Sequence, residues 1–202
     1  FFLYLSHFAP HSILNGKPDL VKKYREKHPP GKSTRSRCYL CQDAGLPGDP
    51  LHHWAGDHNP HLAAMLESID EGVGMIVRTL EELGLTRDTL VVFTSDNGGE
   101  LNVTSNAPLR GGKSQLFEGG IRVPLIVKYP GHVPEGVVCS VPTSNVDFYP
   151  TFLEAASVPV DLSQYLDGRS ILGLLSEPTR AGADRALYWH YPLARPHFLG
   201  GL

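Results

Sequence analysis

Three stretches of this chain carry side chains that could act together on an anionic substrate. The first is Ser95-Asp96-Asn97-Gly98-Gly99, with a carboxylate and a carboxamide side by side. Both are hard oxygen donors, which suit calcium better than zinc. Taken alone, the same residues are most often an Asx turn closing a strand. The second stretch is Leu109-Arg-Gly-Gly-Lys113-Ser114, whose glycines let backbone approach a ligand while an ammonium clamps its charge. Gly112-Lys113-Ser114 copies the end of a phosphate-binding P-loop. That motif requires glycine where Ala107 stands and a strand leading into it, so a nucleotide site is rejected. The third is His7-Phe-Ala-Pro-His11, where Pro10 stops an extended run and leaves His11 at its end. Histidine serves equally as proton shuttle, metal ligand or plain surface residue, and either histidine fits the last role by itself.

These residues need elements to carry them. Leu90–Thr94 is β-branched and aromatic and predicts a buried strand, with Asp96 and Asn97 at its carboxyl end, where open α/β sheets bind ligands. Phe1–Ser6 predicts a second strand, ending toward His11. From His61 to Gly84, Leu62, Met65, Ile69, Val73, Ile76, Leu80 and Leu83 recur at three- and four-residue steps, which predicts one helix with an apolar stripe and a glycine stop. Met65 is core filler on that stripe. A helix feeding a strand after a short connection is a unit of a layered α/β fold. Shorter helices are predicted at Asp19–Lys27, Asn145–Ser157 and Ser170–Leu175, and further strands at Val123–Tyr129 and Ala186–His190.

The composition excludes some functions. The chain has 202 residues, 41% hydrophobic and 19% charged, with a formal charge of −3, which gives no electrostatic case for nucleic acid or an anionic membrane. No apolar run approaches the ~20 residues that span a bilayer. Three cysteines make no disulfide framework. Asn102-Val-Thr104 fits a glycosylation acceptor, relevant only in a eukaryotic secretory setting. Between Pro29 and Pro60 the pattern dissolves, with an irregular insertion at 33–58. It holds Cys38, Cys41, His52 and His53, a zinc-like set that lacks the usual spacing between its histidines and reads as well as a surface loop. The chain opens on an apolar run with no initiator Met or signal-peptide features, which suggests a piece of something longer.

Read in order, the motifs resemble a known family. Phe1 to His11, Asn59-Pro60, Met65-Leu-Glu-Ser-Ile-Asp70, Thr94-Ser-Asp-Asn-Gly-Gly99, Leu109-Arg-Gly-Gly-Lys113 and Phe117-Glu-Gly-Gly-Ile-Arg-Val-Pro124 are similar to the type I sulfatases, the arylsulfatase-like members of the alkaline phosphatase superfamily. The resemblance implies an α/β fold with an alkaline-phosphatase-like layered sheet flanked by helices, incomplete here, and a C-terminal α+β extension. It divides the chain into 1–140, the C-terminal part of the catalytic domain, and 141–202, the end of that domain and the start of a C-terminal subdomain. It also implies roles: Asp96 and Asn97 as calcium ligands, Lys113 on the sulfate oxygens, and His11 on the ester and as acid for the departing alcohol. His190, in Tyr-Trp-His-Tyr-Pro, would line the substrate pocket.

The departures matter as much. The family's nucleophile is a formylglycine made within Cys/Ser-x-Pro-x-Arg. Cys38 is followed by Tyr-Leu-Cys, Cys41 by Gln-Asp-Ala and Cys139 by Ser-Val-Pro. The paired aspartates that complete the family's calcium shell are absent too, so the resemblance places both upstream of Phe1. The expectation is a fragment of a sulfuric ester hydrolase, inactive alone, acting on an aryl, glycan or steroid sulfate outside the cytoplasm. A phosphomonoester or phosphodiester hydrolase of the same superfamily and a non-catalytic sulfated-glycan-binding remnant stay open.

Overall fold

The computed structural model describes residues 1–11, 14–27, 59–101, 103–161, 163–178 and 185–192. The predicted irregular insertion, with Cys38, Cys41, His52 and His53, lies outside them, as does Asn102. Contacts divide the chain into two compact units: Phe1–Thr79 with Ser95–Val123 and Tyr191–Leu202, and Leu80–Thr94 with Pro124–His190.

The first unit holds two helices, the second of them only as far as Thr79, its last residues belonging to the other unit. α1 (Pro18–Lys27) starts with proline at its first turn and ends on lysine, as the helix dipole favours. α2 (Pro60–Glu82) is capped by Asn59, whose Oδ1 accepts from the N–H groups of His61 at 3.0 Å and Leu62 at 3.1 Å. Its apolar stripe is graded: Met65 and Ile69 are buried, Val73, Ile76 and Leu80 half-buried, and Leu83 exposed. The helix ends at Gly84, φ +67°, with Gly84 N–H donating to Glu81 O and Leu85 N–H to Leu80 O, both bonds of a Schellman stop. Met65 is core, as its spacing predicts. It packs with Leu14 and Val103, with Ala9 and Leu62 against them, and its sulfur accepts from Asn15 N–H.

α1 is fixed to α2 by close backbone approach and by ion pairs. A Cβ on Gly16 would stand 2.5 Å from that of Ala64, so only glycine lets the chain pass there. Lys17 pairs with Glu71 at 3.0 Å and Lys23 with Glu67 at 2.5 Å. Lys23 of α1 and Lys17 just before it are thus both engaged with α2.

The second unit holds β1 (Val91–Thr94) and β2 (Leu125–Lys128), paired antiparallel with Val91 opposite Lys128 and Thr94 opposite Leu125. α4 (Phe148–Ala155) and α5 (Leu172–Ser176) follow, joined where Thr151 Oγ1 accepts from Ile171 N–H at 3.0 Å. The short helix α3 (Glu118–Ile121) belongs to the first unit and was not foreseen in the sequence.

The layered α/β sheet is not what forms. Among the described residues helix predominates, and the only sheet is two-stranded, with four residues in each strand. No residue of β1 is buried, against the buried strand expected at Leu90–Thr94, and Phe93 and Ile126 are exposed. Phe1–Ser6 and Ala186–His190 are not strands either. The reason is pairing: a strand exists only where a neighbour takes up its N–H and C=O groups. Phe1–Leu5 have strand-like side chains, yet all five are exposed, Phe1 at 87%. Propensity alone does not supply the ladder partner.

Candidate functional site

Asp96 and Asn97 follow β1 directly, in a turn where Ser95 Oγ donates to Asn97 O at 2.9 Å and Asn97 Nδ2 to Gly98 O at 3.1 Å. That amide bond leaves Asn97's Oδ1 as its remaining donor to a metal. Asp96 is exposed, and no hydrogen bond or ion pair reaches its carboxylate among the described residues. The turn is thus held by Ser95 and Asn97 side chains donating to backbone carbonyls, with no bond to a side-chain oxygen of the Asx-turn kind among the described residues, and it keeps a pair of available oxygens.

The backbone beyond the turn is fastened to the lysine loop. Gly98 N–H donates to Gly120 O at 3.0 Å, Lys113 N–H to Gly99 O at 3.0 Å and Gly119 N–H to Arg110 O at 2.7 Å. A Cβ on Gly98 would lie 1.7 Å from Gly119 O, which explains why glycine stands where the three segments cross. Asn106 spans the same crossing through its carboxamide, bonded to Gly99 and Gly111. Arg110 lies over the Phe117 ring at 3.9 Å, a cation–π contact that turns its charge onto the loop itself. Lys113 is half-buried, and no carboxylate pairs with it among the described residues. Asp96, Asn97 and Lys113, far apart in the sequence pattern, are therefore brought onto adjoining loops.

His11 is placed by its own turn. Its N–H donates to Phe8 O at 2.9 Å and its ring lies 5.7 Å from that of Phe8. The link to the loops is hydrophobic and indirect: Ala9, two residues before it, packs on the cluster that includes Val103, just past Glu100. His190 is exposed in the other unit, between Trp189 and Tyr191.

One Ser-x-Pro-x-Arg string does occur in this chain, Ser176-Glu-Pro-Thr-Arg180. Attention to the cysteines alone misses it. Ser176 is the last residue of α5, and its Oγ donates to Leu172 O at 3.1 Å, an ordinary helix back-bond. Thr179 and Arg180 lie outside the described residues.

Asp96 and Asn97 offer carboxylate and carboxamide oxygens, the right chemistry, but calcium takes about six to eight oxygens. No group of three or more His, Cys, Asp or Glu gathers among the described residues. The residues present fit part of a calcium shell.

A second polar cluster escaped the sequence reading. Asp147 is fully buried and its carboxylate accepts from Ser144 N–H at 2.9 Å, Arg169 N–H at 3.0 Å and the two terminal nitrogens of Arg185. Burial raises its pKa, but the Arg185 guanidinium and the two backbone donors outweigh this and hold the carboxyl below its usual range. The signal was present locally: Ser144-Asn-Val-Asp147 is a capping box, and it forms. Its arginine, 38 residues away, has no local signal.

Comparison with known proteins gives these loops their context. The sequence matches the family described as Sulfatase over residues 1–158. A sulfatase of Formosa agariphila is 36% identical over 204 residues, covering 95% of this chain and 33% of that one. Steryl-sulfatase of Mus musculus is 37% identical over 158 residues, covering 74% and 24%. Among solved structures, that of Ps i-CgsB superposes with a TM-score of 0.67 at 34% identity, over 88% of this chain and 34% of that one. The chain spans a third or less of the length of these curated relatives. With 158 of its 202 residues in the family match, this chain belongs to the sulfatase family, a family of hydrolases.

Proposed function

We propose that this chain is part of a sulfuric ester hydrolase that cleaves a sulfate monoester at a calcium and formylglycine site, and that it supplies half of that site. The observation carrying this is the fastening of the Asp96-Asn97 turn to the Lys113 loop through Gly98, Gly99 and Gly120, in a chain of the sulfatase family. Asp96 and Asn97 would hold calcium, which when bound neutralises charge on the sulfate oxygens. The Lys113 ammonium does the same from the opposing loop, without a competing carboxylate among the described residues. His11 is the acid: as the S–O bond breaks, its electron pair stays on the alcohol oxygen and the imidazolium proton neutralises it. For His190 the support is the family resemblance of Tyr-Trp-His-Tyr-Pro alone, which would give it a role in binding the alcohol part of the substrate. On this reading the nucleophile and the remaining calcium ligands would belong to residues outside this sequence, and family membership supports an extracytoplasmic setting. Mouse steryl-sulfatase and the Ps i-CgsB complex with k-i-k-neocarrahexaose support steroid and glycan esters as substrate classes.

The test is hydrolysis of 4-nitrophenyl sulfate by protein expressed from the complete reading frame in a host that matures formylglycine. Activity is expected there, falling about 10²- to 10³-fold in Lys113→Ala, and none in the isolated 202 residues. Ser176→Ala is expected to leave activity unchanged. Turnover by the isolated chain that Ser176→Ala abolishes would overturn the fragment reading. Cleavage of the phosphate ester in preference to the sulfate would favour a phosphohydrolase of the same superfamily.

A further inference from the structure

The loop that carries Lys113 is held by a neutral side chain seven residues earlier. Asn106 Oδ1 accepts from Gly99 N–H at 2.9 Å, and its Nδ2 donates to Gly99 O at 2.9 Å and to Gly111 O at 3.1 Å. Gly99 lies two residues past Asn97, and Gly111 lies two before Lys113. One carboxamide therefore ties the segment leaving the Asp96-Asn97 turn to the segment entering the lysine. Gly99 O also accepts from Lys113 N–H, so the same carbonyl joins both sides.

The fit around this carboxamide is close. A Cβ on Gly112 would stand 2.8 Å from Asn106 Nδ2 and 2.5 Å from Gly99 O. The loop is also under backbone constraint: Gly111 has φ +78° and Ser114, a residue with a Cβ, has φ +69°. A left-handed conformation at a non-glycine residue persists only where its surroundings enforce it. Gln115 contributes from the far side, its Oε1 accepting from Gly112 N–H at 3.0 Å.

The geometry points to Asn106 as a positioning residue for sulfate-ester cleavage, whose carboxamide fixes the distance between the Asp96-Asn97 oxygens and the Lys113 ammonium. This deepens the function proposed above and rests on it. The chemistry requires an amide. Aspartate would keep the acceptor for Gly99 N–H but set a negative oxygen against two carbonyls, and alanine would remove all three bonds. A lysine side chain is flexible, so its charge is placed only as well as its backbone is.

A double-mutant cycle in the protein from the complete reading frame tests this. Asn106→Ala and Asn106→Asp are each expected to lower kcat about 100-fold, the order expected for a displaced charge, with KM changing less than about 3-fold. In a Lys113→Ala background, Asn106→Ala should cost less than about 3-fold, because the ammonium it positions is gone. Equal losses in both backgrounds would overturn the inference, showing a general structural role. Amide hydrogen exchange supplies an activity-free readout: Asn106→Ala should speed exchange at Gly99 and Lys113 at least about 10-fold while Val91–Thr94 keep their protection. Unchanged exchange at those two amides would overturn the clamp. A wild type that cleaves no sulfate ester would overturn the catalytic role together with the proposed function, and the exchange result would still decide the clamp.

Discussion

Asp147 and Asn106 sit at the centres of two hydrogen-bonded clusters that use polar groups in opposite ways. Around Asp147 an ionised carboxylate is consumed by its own fold, with both oxygens shared among two backbone N–H groups and the Arg185 fork. Around Asn106 the bonding is neutral and goes to backbone, while the charges of Asp96 and Lys113 stay unpaired among the described residues. The lowered pKa of Asp147 reports oxygens already taken up by the fold, whereas a ligand needs oxygens that are still available. Perturbed titration marks structural ion pairs as well as functional sites, and saturation of the acceptor tells them apart.

The contrast can be broken most forcefully at Asp147. Asp147→Ala strands the mostly buried Arg185 guanidinium and is expected to destabilise the fold by about 3–5 kcal/mol, measured by urea denaturation. Replacing both, Asp147→Ala with Arg185→Met, should recover much of that loss. If the single variant is as stable as wild type, the pair is not structural.

Acid should act on the same corner. The folded carboxyl titrates below its unfolded value of about 3.9. The native state therefore binds fewer protons than the unfolded one in that range. The resulting stability is fully present above the unfolded pKa and is lost as pH falls through the lower folded pKa. Urea midpoints measured from about pH 5 to pH 2 should fall for wild type, and the slope should flatten in Asp147→Asn. Identical pH profiles would mean that another carboxyl carries the acid sensitivity.

The smallest effect on stability should come from the pair proposed to meet the sulfate. Asp96→Ala and Lys113→Ala remove groups that pair with nothing among the described residues, so each should shift stability by no more than about 0.5 kcal/mol. Thermal denaturation checks this. A loss comparable to that of Asp147→Ala would erase the distinction between the two clusters.

Legibility followed the range of the interaction. α2 was readable from His61 to its Gly84 stop, since its stripe and its glycine are local; its start at Pro60 under the Asn59 cap was not singled out, although that signal is local too. β1 and β2 were readable as strands because β-branched runs mark them, although their pairing direction was not. The same composition failed at Phe1–Ser6, where no neighbouring strand meets the backbone among the described residues. At the site, residue type and spacing drew attention to Asp96, Asn97, Lys113 and His11. Asn106 stood in plain view at the head of the same glycine loop, but nothing about an asparagine announces three bonds to backbone five and seven residues away.

The sequence by itself determined the family, through motifs in a fixed order, and the longer helices, through short periodicity. Tertiary structure decided the rest. Crossing glycine segments and one asparagine carboxamide bring the Asp96-Asn97 turn beside Lys113, and distance across a fold has no period in the chain. It also decided that the buried carboxylate at Asp147 is structural, since only the folded chain shows its oxygens already filled.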